Sequence, residues 1–168
     1  MFEQGNIKGV INVLNEVDMA SEAKLAEQEI ARGRQMVQNG NELIEQGIQT
    51  IQAQVEEYVL RAKALMMDYD NAERFPLACK AYEQVIELSR NNLTLAELAE
   101  QLFKYSVFLY KNNQFTKCEA YIKECVSIMA ELCHKNPQAY EPDLAISCNI
   151  LALLYSDTQR FKESEEIY

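Results

Sequence analysis

The sequence predicts an all-α fold, an array of helical hairpins preceded by one long helix. Three observations carry that expectation. Helix breakers are scarce, with 5 Gly and 3 Pro in 168 residues. A run of apolar and small residues from Ala26 to Ile51 alternates spacings of four and three, which is the periodicity of a coiled-coil seam. From Phe75 onward a pattern built around phenylalanine recurs, and each copy reads as two helices joined by a polar turn.

The chain is acidic, with 16 Lys and Arg against 26 Asp and Glu and a formal charge of −10. That balance argues against nucleic acid and against an anionic membrane as partners, since both require a basic footprint. It favours protein or peptide partners, basic ones above all. The sequence contains no run of about 20 apolar residues, and the N-terminus "MFEQGNIKGVINVLNEV" lacks the basic start and apolar stretch of a signal peptide. A cytoplasmic protein is expected. Five cysteines, an odd number without a CxxC pair, read as free buried thiols.

Residues 1–17 read as a truncated half unit: the end of one helix, a turn at Gly5-Asn6, and a second helix carrying Val10, Leu14 and Val17 on one stripe. Residues 18–56 read as the long helix. Ile30, Val37, Ile44 and Ile51 occupy one seam position, and Gly33, Gly40 and Gly47 occupy the other. Each glycine costs about 1 kcal/mol against alanine inside a helix. A small residue every seven positions would let another helix approach closely, which makes these glycines a candidate packing seam. The competing account is a hairpin broken at "QNGN", with Gly40 closing one helix and Asn41 capping the next. The periodicity crosses Gly40 unbroken and favours a single helix.

Residues 57–168 divide into units at about 57–92, 96–136 and 142–168, the last one incomplete. The second helices open "RFPLACKAYEQVIEL", "QFTKCEAYIKECVSI" and "RFKESEEIY". Three residues after Phe75, Phe115 and Phe161 stands a small side chain (Ala78, Cys118, Ser164), and four further on a bulky one (Tyr82, Ile122, Tyr168). The first helices carry matching stripes: Ala62, Leu65, Met66, Tyr69; Leu102, Tyr105, Ser106, Leu109; and Cys148, Leu151, Ala152, Tyr155. Large side chains can then seat over small ones in an antiparallel pair. The turns are "DNAER", "KNNQ" and "SDTQR".

This unit resembles the tetratricopeptide repeat, whose consensus is W-x₂-L-G-x₂-Y…A-x₃-F…P. "NILALLYSDTQRFKESEEIY" is similar to the longer repeats of kinesin light chain and of bacterial repeat proteins. The Phe-to-Phe spacings of 40 and 46 depart from the 34-residue period, which calls for longer helices or for loops such as "CHKNPQAYEPDLA". The resemblance implies a tetratricopeptide-like α-solenoid. The half unit at one end and the incomplete unit at the other imply a fragment of a longer array, because a solenoid normally ends in a polar cap.

No catalytic constellation emerges. His134, the single histidine, lies beside Cys133, but adjacent helical side chains diverge by about 100° and cannot share a small site. Cys118 and Cys125 sit where the repeat wants small packing residues, and the pairs Glu56-Glu57 and Glu165-Glu166 fall on polar faces. No phosphate loop, HExxH or GxSxG is present. No metal or other cofactor is expected, and no enzymatic activity.

The resemblance places ligands on the first helices. The family's carboxylate clamp is not reproduced, for Met67 stands one turn after Lys63 where an asparagine is required. The remaining groove candidates are Lys63, Met67, Lys104, Phe108, Asn149 and Leu153. Asn149 matches an asparagine that contacts peptide backbone in kinesin light chain, and one amide can both donate to and accept from an extended peptide. A surface asparagine beside a helix stripe accounts equally for its position. The expected function is a non-enzymatic scaffold that binds peptide or helical segments. Two alternatives stand beside it: a regulatory module of a larger enzyme or defence protein, and a homo-oligomer assembled through the glycine helix or the exposed repeat ends.

Overall fold

Six helices follow one another in the computed structural model, which describes residues 16–167, with side chains from residue 21 onward. They are α1 (Glu16–Met67), α2 (Arg74–Asn92), α3 (Leu95–Lys111), α4 (Phe115–Lys135), α5 (Pro137–Asp157) and α6 (Phe161–Glu165). No strand occurs among the described residues. The half unit expected over residues 1–17 lies outside them apart from its last two residues, as does Tyr168. The chain divides into two units, Met1–Gly47 and Ile48–Tyr168.

In the first unit α1 runs through Gly40 without a turn, so the hairpin at "QNGN" does not form. Residues 21–47 are exposed almost throughout, and the seam residues Ile30, Val37 and Ile44 stand 54%, 65% and 63% exposed. A Cβ placed on Gly33, Gly40 or Gly47 would meet nothing within 4 Å. Among the described residues no helix packs on these glycines.

The second unit is built from antiparallel pairs. Thr94 starts α3 with a reciprocal cap: its hydroxyl accepts from the Glu97 N–H (3.3 Å), and the Glu97 carboxylate accepts from the Thr94 N–H (3.0 Å). The expected stripes then face inward. Leu102, Tyr105, Ser106 and Leu109 of α3, and Cys118, Ile122 and Cys125 of α4, are completely buried. Small residues let the helix backbones come within side-chain reach. The Cys118 thiol donates to the Ser106 carbonyl (3.3 Å), the Cys125 thiol to the Ala99 carbonyl (3.3 Å), and the Ser164 hydroxyl to the Ala152 carbonyl (3.0 Å). Burial pushes the Cys118 thiol up to about 11, so it remains a neutral packing group.

The turns after α3 and α5 are copies of each other. The Gln114 N–H bonds to the Leu109 carbonyl (2.9 Å) and the Asn113 N–H to that of Tyr110 (3.0 Å). The Arg160 N–H likewise bonds to the Tyr155 carbonyl (2.8 Å) and the Gln159 N–H to that of Ser156 (3.0 Å). Both ends are closed by one left-handed residue, Asn113 at φ 58° and Gln159 at φ 61°.

The turn after α1 is different. The helix stops at Met67, and Tyr69, expected on the buried stripe, is 80% exposed with the Arg74 guanidinium 4.8 Å above its ring. The Asn71 side chain accepts from the Glu73 N–H (2.9 Å) and holds the longer connection. Asn136 alone joins α4 to α5, because Pro137 begins α5 at a position where its missing N–H costs nothing. The 46-residue spacing is therefore met by longer helices and not by a loop.

Candidate functional site

The order in which residues meet fixes the direction of the helices. Gln52 of α1 donates to Glu97 of α3 (2.6 Å), and further along Val59 and Lys63 line a common cavity with Lys104, Phe108 and Lys111. The C-terminal part of α1 and α3 therefore run parallel. Likewise α3 and α5 are parallel: Ala96 and Tyr140 line one cavity, and at the far end the Tyr110 hydroxyl donates to Asp157. Asp157 holds the Tyr110 hydroxyl in its neutral form, up to about 12. The second helices are tied on the other side by Arg90 to Glu124 (2.6 Å) and by Arg160 to Glu119 (2.7 Å).

Cavities open between successive first helices. One of about 550 Å³ separates α1 from α3 and includes Gln52, Val55, Gln101, Lys63 and Lys104 in its walls. A second, of about 360 Å³, shares Val59, Lys63 and Lys104 with it and continues toward the α3 C-terminus over Phe103, Val107 and Phe108. The third, about 410 Å³ between α3 and α5, is lined by Phe103, Tyr140 and Ile146 with Glu97, Glu100 and Asp143.

The structure brings Lys63, Lys104 and Phe108 together around the second cavity. Met67 ends α1, 72% exposed, and lines neither of the two α1/α3 cavities. Asn149 and Leu153 lie exposed on α5, apart from that cluster. Forty-six residues separate Ser106 from Ala152, Cys118 from Ser164, and Asn113 from Gln159. By the same spacing the counterparts of Asn149 and Leu153 on α3 are Phe103 and Val107. Lys104 and Phe108 are one residue out of that register. Phe108 accordingly turns toward the packed rings, 5.7 Å from Phe75 and 4.8 Å from Tyr82 between centroids.

Sequence reasoning missed Phe103, Val107, Lys111 and Gln101. The first two were available from the repeat itself once the turns were aligned on Asn113 and Gln159. Gln101 was not, because a glutamine between Leu98 and Leu102 gives no signal of burial. It is 7% exposed, and its Oε1 has no hydrogen-bond partner among the described residues.

The titratable groups here serve structure or carry charge. Glu97 is held below the usual carboxylate range by bonds from the Thr94 hydroxyl and N–H and from Gln52. Glu100 pairs with Lys104 (2.7 Å). His134 sits exposed in the last turn of α4, and among the described residues no cluster of His, Cys, Asp and Glu has the geometry to hold a metal. No described helix is long and apolar enough to cross a membrane. No protein-family model, curated protein or solved structure matches the chain.

Proposed function

We propose that this chain is a protein-interaction scaffold without catalytic activity, a tetratricopeptide-type module that holds an extended peptide along the first helices of its hairpins. The parallel course of α1, α3 and α5, with connected cavities between them, carries the reading. Parallel helices in register present the same side-chain rows at each step, and such rows suit a partner that advances regularly, as an extended peptide does. The walls mix aromatic and aliphatic side chains with a few charges, the composition of a recognition surface. Cytoplasmic residence belongs to the same proposal, in keeping with five free cysteines of which three are buried.

The test is site-specific crosslinking. A photoreactive phenylalanine analogue replaces Val107 in the groove or, in a second variant, exposed Lys80 on α2, and each protein is irradiated with a random peptide pool. Adducts are expected at position 107 alone. Equal adduct formation at both positions, or none at 107, overturns the proposal.

A second reading, self-association along residues 21–47, is favoured by the solvent-facing row Ile30, Val37 and Ile44 beside the open glycines. Sedimentation of the whole chain over a concentration series tests it. A monomer throughout removes it.

A further inference from the structure

Residues 21–47 of α1 carry an apolar face that stands in solvent. Ile30, Val37 and Ile44 are each more than half exposed, and Met36 and Leu43 beside them are 75% and 68% exposed. Between the first three lie Gly33, Gly40 and Gly47, with open space where a side chain would project. A contiguous apolar row of this kind marks an interaction surface.

The order of large and small residues along the row says what it fits. Ile30 and Gly47, Val37 and Gly40, and Ile44 and Gly33 are placed symmetrically about a point between Gln38 and Asn39. Turned end for end about that point, the row becomes its own complement, with a branched side chain over every glycine. A second copy laid antiparallel therefore seats Ile30 on the partner's Gly47, Val37 on the partner's Gly40 and Ile44 on the partner's Gly33. Met36 then lies beside the partner's Leu43 and closes the flank. Every layer holds one branched residue and one glycine, so all layers ask for the same helix separation, at the short end of the 8–10 Å usual for helix pairs. A parallel pair cannot meet that condition, because isoleucine would face isoleucine and glycine face glycine in alternate layers. Its one gain, Glu29 against the partner's Arg34, is an exposed ion pair that contributes little. The antiparallel pair brings no like charges together, since Arg34 comes between the partner's Asn41 and the partner's Glu45.

The area is also that of a pair. Residues 21–47 run about 40 Å at 1.5 Å per residue, and half the circumference of a helix about 10 Å across over that length is on the order of 600 Å² per copy. Two copies together reach the lower limit of roughly 1,200 Å² for specific interfaces, so the pair forms at high concentration and dissociates on dilution.

Resting on the self-association reading above, we infer that residues 21–47 form an antiparallel helix pair with a second copy of this chain, its two-fold axis passing between Gln38 and Asn39. The glycines are sockets for the branched side chains of the other copy. The assembly is bivalent, since each copy brings its own second unit.

The experiment combines sedimentation equilibrium of the full chain over a concentration series with distances between spin labels. One label per chain is attached through an azide-bearing residue at Gln28 or at Gln38, which leaves the five native cysteines unlabelled, so every distance measured is between copies. The antiparallel register separates the two labels at position 28 by about 30 Å along the axis and brings those at position 38 within about 20 Å of each other. Gly40→Val sets valine against valine, Val37→Gly leaves a socket empty, and each should weaken the dimer about tenfold or more. The double swap Val37→Gly/Gly40→Val restores a large residue opposite a small one and should return the dissociation constant to within a few-fold of the parent. Circular dichroism of the dilute variants checks that the helix is intact. A dimer whose labels at position 28 lie within about 20 Å is parallel and overturns the inference while leaving self-association standing. A dimer indifferent to Gly40→Val, or not rescued by the swap, does the same. A monomer at every concentration overturns both. A monomer in which Gly40→Val lowers the hydrogen-exchange protection of residues 21–47 assigns the face to another segment of the same chain and likewise refutes a second copy as its occupant.

Discussion

Replacing Gly33, Gly40 and Gly47 together by alanine should stabilise the first unit. Each glycine lies inside α1, and each added methyl group meets nothing within 4 Å, so no steric term opposes the gain in helix propensity. That gain is about 1 kcal/mol per position. The sites are seven residues apart, about 10 Å along the helix, far enough for the effects to add. The total is about 3 kcal/mol, or roughly a hundredfold in a local opening equilibrium. Residues 21–47 are nearly all exposed and lean little on tertiary contacts, so opening there is local and the whole gain is visible in that segment. The measurement is amide hydrogen exchange of the full-length variant against the parent, read over residues 21–47 at a dilution where both are monomers. Protection that falls or stays level would refute the reasoning, because it would mean that another segment of the same chain sits on the glycines in solution.

Three further outcomes follow from the second unit. Gln159→Gly should raise stability by about 0.5–1 kcal/mol, because Gln159 occupies φ 61° with an exposed side chain, whereas Asn113→Gly should gain less, since asparagine tolerates that conformation; equal effects in urea melts would contradict the account. Ile122→Ala removes a side chain with no exposure from the α3/α4 core and should lower the unfolding free energy by about 2–5 kcal/mol, measured as a shift of the denaturation midpoint. The Arg160 and Lys123 side chains hold the Glu119 carboxyl below its ordinary value, so this group stabilises the fold above about pH 4.5, and the contribution is lost as pH falls through the depressed value. Glu119→Gln should therefore cost about 1 kcal/mol at neutral pH and converge with the parent in acid; a constant difference across the pH series would sink the assignment.

What the sequence determined is the set of residues that share a face. A 3.6-residue period and the placement of small against large side chains identify the rows Leu102–Leu109 and Cys118–Cys125, and those rows are buried as expected. The polar turns were legible for the same local reason, since they interrupt the period. Tyr69 was lost to a turn whose bonds from Asp68 and Asn71 end α1 early, and nothing in its own stripe announces that competition.

Only the tertiary structure decided which faces meet. The parallel course of α1 and α3 leaves cavities between them and brings Lys63 and Lys111, 48 residues apart in sequence, to the wall of one. It also sets the register in which Phe103 and Val107, not Lys104 and Phe108, correspond to Asn149 and Leu153. Periodicity fixes the angle of a side chain about its own helix axis. The neighbour that this angle meets depends on where the turns end each helix and on how far small residues let the backbones approach, and both are settled by contacts between distant parts of the chain.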